Sequence, residues 1–119
     1  ELVMARTMGW NVLQCACRKN APADVILNLI ELGGRKLVMA RNNEHSGDYS
    51  IHTACQYNAS IHVVSKLLEV GGKKLAFAKN YKSWNSLHTA CSYKASAEVV
   101  SKLIEAGGKK LAMAKNNTG

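Results

Sequence analysis

One run of residues is written three times in this chain, and that repetition constrains the fold more than any other feature. Leu13-Gln14-Cys15-Ala16-Cys17 is answered by Ile51-His52-Thr53-Ala54-Cys55 and then by Leu87-His88-Thr89-Ala90-Cys91, at offsets of 38 and 36 residues. Gly33-Gly34, Gly71-Gly72 and Gly107-Gly108 recur with the same offsets. Residues 51–79 and 87–115 are identical at 21 of 29 positions without a gap, and residues 13–41 and 51–79 at 12 of 29. This is duplication. A unit of this size cannot bury its apolar face alone, so the copies must stack, and about three are needed for a stable array. The length changes fall between Leu37 and Ile51 and between Leu75 and Leu87, spans of 14 and 12 residues. Connections at the surface of a stack tolerate such insertions.

Each unit reads as two short helices. Leu87, Ala90 and Cys91 stand at i, i+3 and i+4, and Ile51, Ala54, Cys55 and Leu13, Ala16, Cys17 repeat the pattern. A second stripe runs through Val99, Val100, Leu103 and Ile104, matched by Val63, Val64, Leu67, Leu68 and by Val25, Ile26, Leu29, Ile30. Asn11, and Asn85 or Ser86, are caps for the first helix. Pro22 suits the first turn of the second. Asp24 and Glu98 complement the dipole there. The Gly pairs are expected to stop the second helix by taking a left-handed conformation. Beyond them, Lys73-Lys74-Leu75-Ala76-Phe77-Ala78-Lys79 and its equivalents predict an extra helical turn, with Leu37, Leu75 and Leu111 packed inward.

These residues resemble the ankyrin repeat. Ser86-Leu87-His88-Thr89-Ala90-Cys91 is similar to that family's Thr-Pro-Leu-His-x-Ala-Ala signature, and Glu98-Val99-Val100 with Leu103-Ile104-Glu105-Ala106-Gly107 is similar to its second helix and closing Gly. Gly9, Gly47 and Gly119 fall at the Gly of its β-turn finger. The resemblance implies an all-α helix-turn-helix solenoid with β-turn fingers: three stacked repeats, enlarged to 36–38 residues from the family's usual 33. The expected division is a single repeat domain over 1–119. Within it, 1–5 is the remnant of a preceding repeat, 6–43, 44–79 and 80–115 are repeats, and 116–119 starts a following one. Neither end reads as a polar cap, so a longer array is expected. Val12, Ser50 and Ser86 stand where the signature has Pro, Gln14 replaces its His, and Ser83 replaces the third finger Gly.

The recurring His and Cys columns do not assemble a catalytic or metal site. The resemblance implies that His52 and His88 bond backbone groups of their own and the adjacent finger. No nucleophile or acid pairs with them, and no catalytic residue, metal ligand set, cofactor or small-molecule substrate is expected. Cys17, Cys55 and Cys91 read as small core residues. Cys15-x-Cys17 lacks the second ligand pair that zinc needs. Four Cys are too few for a disulfide scaffold, which points to a reducing, intracellular and cytoplasmic setting. No apolar stretch is long enough for a membrane span.

The expected function is protein–protein recognition. Fingers and first helices form the concave face on which the resemblance implies partners sit. Positions that vary there while the core stays fixed are the binding candidates: Trp10, Arg18, Lys19, His45, Asp48, Gln56, Tyr57, Tyr81, Lys82, Trp84 and Tyr93. Trp, Tyr and Arg are the commonest interface anchors. The net charge of +8 favours an acidic partner protein. An alternative is electrostatic binding of nucleic acid or another polyanion by a basic ridge of Arg35, Lys36, Lys73, Lys74, Lys109 and Lys110, beside a second column of Arg6, Arg41, Lys79 and Lys115. A third reading is a passive spacer within a longer array.

Overall fold

The computed structural model describes residues 6–7, 9–44 and 46–115. Two short strands, β1 (Arg6–Thr7) and β2 (Trp10–Asn11), pair antiparallel in the first finger. Three helix pairs follow: α1 (Val12–Arg18) and α2 (Ala23–Val38), α3 (Ser50–Gln56) and α4 (Ile61–Phe77), α5 (Ser86–Ser92) and α6 (Ala97–Met113). The short helices α1, α3 and α5 stack on one another, and the long helices α2, α4 and α6 form a second layer against them. The described residues span 38 × 27 × 21 Å.

The core lies between these layers. Leu13, Ile51, Ala54 and Ala90 contribute from the short helices, and Ile30, Val64, Leu67 and Leu103 from the long ones, all fully buried. Val25 and Ile104, counted above in the apolar stripe, lie exposed at its edge. Asn11 and Asn85 cap α1 and α5, each accepting from the backbone N–H three residues on. Ser60 and Ser96 do the same for α4 and α6. Pro22 stands one residue earlier than expected, at the cap of α2 rather than inside its first turn. Between the helices of each pair, Asn20, Asn58 and Lys94 take positive φ of 55°, 63° and 57°.

The Gly pairs do not stop the long helices in the expected way. Gly34, Gly72 and Gly108 have φ of 60°, 64° and 68° with ψ of −157°, −159° and −160°. That is a region open essentially to glycine alone, far from the left-handed helical ψ. The chain kinks there and resumes helix, giving the extra turn after each pair. The first Gly has a different role. A Cβ on Gly33, Gly71 or Gly107 would collide with Leu37, Leu75 or Leu111 four residues later. The missing side chain lets each Leu fold back into full burial, worth about 1.5–3 kcal/mol apiece. Ser50 and Ser86, at the Pro position of the signature, then donate to the carbonyls of Val38 (2.8 Å) and Ala76 (2.9 Å). These hydroxyls tie each extra turn to the start of the next short helix.

Candidate functional site

Each short helix follows directly on a finger, as β2 runs into α1, and residues of the fingers and of the helices' last turns line one surface. A groove of about 360 Å³ results. Trp10 and Trp84 line it from the first and third fingers. Arg18, Gln56, Tyr57 and Tyr93 line it from the helix ends, Lys82 from the third finger, and Ser46 and Asp48 from the second. Where the outer fingers carry an indole the middle one carries Asp48, which is only 4% exposed.

The fingers are held by buried polar groups. Asp48 Oδ1 accepts from Asn80 Nδ2 at 2.9 Å. Asn80 Oδ1 accepts from the backbone N–H of Lys82 (2.9 Å) and Trp84 (3.1 Å), fixing the loop that presents both side chains. Asn42 Oδ1 receives the N–H of Glu44 in the second finger. Behind the fingers, Gln14 Nε2 donates to Asp48 O at 2.8 Å. His52 Nδ1 accepts from the Tyr49 N–H at 3.0 Å, so Nε2 carries the proton and donates to Trp84 O at 2.9 Å. Burial, partly offset by the nearby Asp48 carboxylate, holds the His52 pKa below its ordinary value. His52 and Gln14 thus do one task, and His88 bonds Asn85 N and Ala114 O in the third unit.

Two cations lie over the two indoles. Arg18 Cζ is 4.9 Å from the Trp10 ring centroid, and Lys82 Nζ is 4.9 Å from that of Trp84. Such contacts contribute about 0.5–1 kcal/mol at exposed sites. They also hold long, flexible side chains in place at the groove.

Eight of the eleven candidate residues therefore share one groove. Lys19 is exposed at the end of α1 and does not line it. Tyr81 lies outside it, its hydroxyl donating to Asn43 O at 3.0 Å and its ring 4.6 Å from Arg41 Cζ. His45 lies outside the described residues. Ser46, Asn80 and Thr89 line the groove and are outside the eleven candidates; the recurrence of Asn42 at Asn80, 38 residues on, is the available signal for Asn80.

All six residues of the basic ridge are exposed. Arg35 differs from the lysines because its Nη1 donates to Val70 O (3.2 Å) and Gly71 O (3.5 Å), bracing α2 on α4. Arg41, in the second basic column, is likewise engaged: Nε donates to Gly47 O (3.0 Å) and Nη2 to Lys79 O (3.1 Å). Burial pushes the thiols of Cys17 and Cys55 up to about 12, which leaves them without thiolate character. Among the described residues no group of three His, Cys, Asp or Glu could hold a metal ion, and no helix is long and apolar enough to cross a membrane.

No family model matches the sequence, and no curated protein matches it either. The fold is another matter. It is similar to the crystal structure of the ankyrin repeat domain of Bcl-3, described as a unique member of the IkappaB protein family. The TM-score is 0.72, with 26% identity over 92% of this chain. The chain is an ankyrin-repeat stack. It spans 46% of that solved chain's length. The ankyrin fold is a protein-binding scaffold, and in this ankyrin stack the groove is built by its fingers and short helices.

Proposed function

We propose that this ankyrin stack recognises a partner protein through the groove between Trp10 and Trp84, without catalysis. The observation that carries the reading is the concentration there of eight residues that vary between otherwise copied units. Aromatic rings supply contact area at low entropic cost, and a surface pre-formed by the Asp48–Asn80 and His52–Trp84 bonds loses little freedom on binding. Four free thiols favour a reducing, intracellular setting.

A second reading keeps the ridge. Lys36, Lys73, Lys74, Lys109 and Lys110 have no carboxylate partner among the described residues, whose ion pairs involve Lys66 and Lys102 instead. One experiment separates the two. Partner capture is compared for the native chain, for Tyr57→Ala with Tyr93→Ala, and for Lys73, Lys74, Lys109 and Lys110 changed to Glu. Loss with the tyrosine pair alone is the expected result. Loss with the lysine set alone, together with binding that falls steeply with salt, overturns the groove in favour of a polyanion. Capture indifferent to both sets leaves the stack as a spacer.

A further inference from the structure

We propose that the groove takes an extended acidic peptide segment of the partner, with Asp or Glu carboxylates at Arg18 and at Lys82 and their neighbouring side chains against the two indoles. This deepens the groove reading and rests on it.

The charge at the groove is the first argument. Arg18 and Lys82 both line it, each laid over its own Trp ring at 4.9 Å. Neither has a carboxylate partner among the described residues. The one carboxylate in the lining, Asp48, is buried and accepts from Asn80. Two cations therefore face a floor whose single negative charge is already engaged.

Unmet donors are the second argument. Arg18 Nε and Ser46 Oγ are buried side-chain atoms without a hydrogen-bond partner, and both residues line the groove. A buried donor left unmet is costly. An anionic acceptor entering beside Arg18 satisfies it with a charge-assisted bond. The indole face keeps the guanidinium in place for that acceptor, so less side-chain freedom is lost when it arrives.

The third argument is the kind of chain that fits. The volume admits a few side chains but not a folded element. Gln56, with one amide donor group and one acceptor, and the Tyr57 and Tyr93 hydroxyls match the alternating N–H and C=O of an extended peptide. Trp10 and Trp84, two repeats apart, offer apolar walls for the residues that flank the carboxylates.

The test selects binders to the full chain from a random peptide library. Selected peptides are then titrated while tryptophan emission is followed. Trp10 and Trp84 are the two tryptophans of the chain, so this signal reports the groove alone. The expected result is enrichment of Asp or Glu beside an aromatic or aliphatic residue. An Asn/Gln version of the peptide, and separately Arg18→Gln or Lys82→Gln, weaken binding about 10- to 100-fold, the range for hydrogen bonds to charged groups. Circular dichroism checks that each variant keeps its helices, and Lys82, an exposed finger residue, is the safer of the two.

Neutral or basic peptides lost with Tyr57→Ala and Tyr93→Ala, but unmoved by the cation variants, overturn the acidic occupant and leave the groove reading standing. Peptides indifferent to both sets overturn the groove reading too. A single-stranded oligothymidylate that quenches the tryptophans more tightly than any acidic peptide replaces the proposal with a nucleic-acid site. Selection of no peptide overturns it outright.

Discussion

Residues 51–79 and 87–115 agree at 21 of 29 positions, yet the same side chain meets different surroundings in each copy. Cys55 is 2% exposed, while Cys91 is an exposed thiol. His52 is fully buried and His88 half-buried; Ala76 is sealed and Ala112 exposed. Leu68 is 7% exposed and Ile104 43%. The reason is position in the stack. Helix α4 lies between α2 and α6, whereas among the described residues α6 has a neighbour on one side only. In a solenoid, each unit's burial depends in part on the interface with the next unit. A repeat motif therefore specifies a shape, and the neighbour decides which of its residues become core.

Thiol labelling breaks or upholds this comparison most sharply. Cys91 is expected to react with a thiol reagent at close to the rate of an accessible cysteine. Cys55 reacts only when the stack opens. With a domain stability of about 5 kcal/mol or more, that protects it about 1,000-fold or better. Mass spectrometry of partially labelled protein reads the ratio. Equal rates would show that the third unit detaches from the second under native conditions.

The matched apolar positions come next. Leu68→Ala removes a sealed side chain and is expected to cost about 2–4 kcal/mol, against about 1 kcal/mol or less for Ile104→Ala. Urea unfolding of the two variants measures the difference. Similar costs would mean that the face of α6 beyond Ile104 is covered in solution.

His52 tests the polar half of the comparison. His52→Ala leaves the Tyr49 N–H and the Trp84 carbonyl unpaired, at a cost of about 1–3 kcal/mol. His52→Gln should cost about 1 kcal/mol or less, because Gln14 already makes the equivalent bonds to Asn11 N and Asp48 O in the first unit. The pH dependence follows from the lowered pKa. Below about 6.5 an unfolded His52 takes up a proton that the folded one does not, so stability is full above that pH. It is lost as pH falls through the unfolded value toward the lower folded one. Denaturation midpoints between neutral and mildly acidic pH should fall in the native chain and fall less in His52→Gln.

Much of this was legible in the residues because it is periodic. The stripes, the Asn11 and Asn85 caps and the inward Leu37, Leu75 and Leu111 fall at the repeat offsets, and each obeys local geometry. The groove was half legible. Variability marked its helix-end and finger residues, but not that Trp10, Asp48 and Trp84 line one groove. That depends on which side chains three separate fingers bring together. Charge was the least legible. Arg35 and Arg41 share columns with lysines, yet both spend their guanidinium donors on backbone carbonyls across a repeat boundary. The planar fork reaches several acceptors at once where an ammonium remains a solvated point charge. Asp48 looked like a surface candidate because its partner, Asn80, is 32 residues away.

The smallest expected effect concerns backbone strain, and again the third unit differs. Its finger holds Ser83 at φ 63°, where the first and second fingers have Gly9 at 82° and Gly47 at 74°. Its inter-helix turn holds Lys94 at φ 57°, where the others have Asn20 and Asn58. A left-handed residue with a Cβ costs about 1–2 kcal/mol, while glycine gives back about 0.5–1 kcal/mol through its freer unfolded chain. Ser83→Gly should therefore stabilise by up to about 1 kcal/mol, and Lys94→Asn by a few tenths, since Asn bonds its own backbone in that conformation. The reverse does not hold at the second finger. A Cβ on Gly47 would run into the Tyr81 ring, whereas Ser83 already accommodates its own. Thermal unfolding of the two variants decides. A gain at both sites means the third unit is the strained one, relieved by residues its neighbours already use. A loss at Ser83 means its side chain supports the finger that carries Lys82 and Trp84, and the strain is part of how the groove is held.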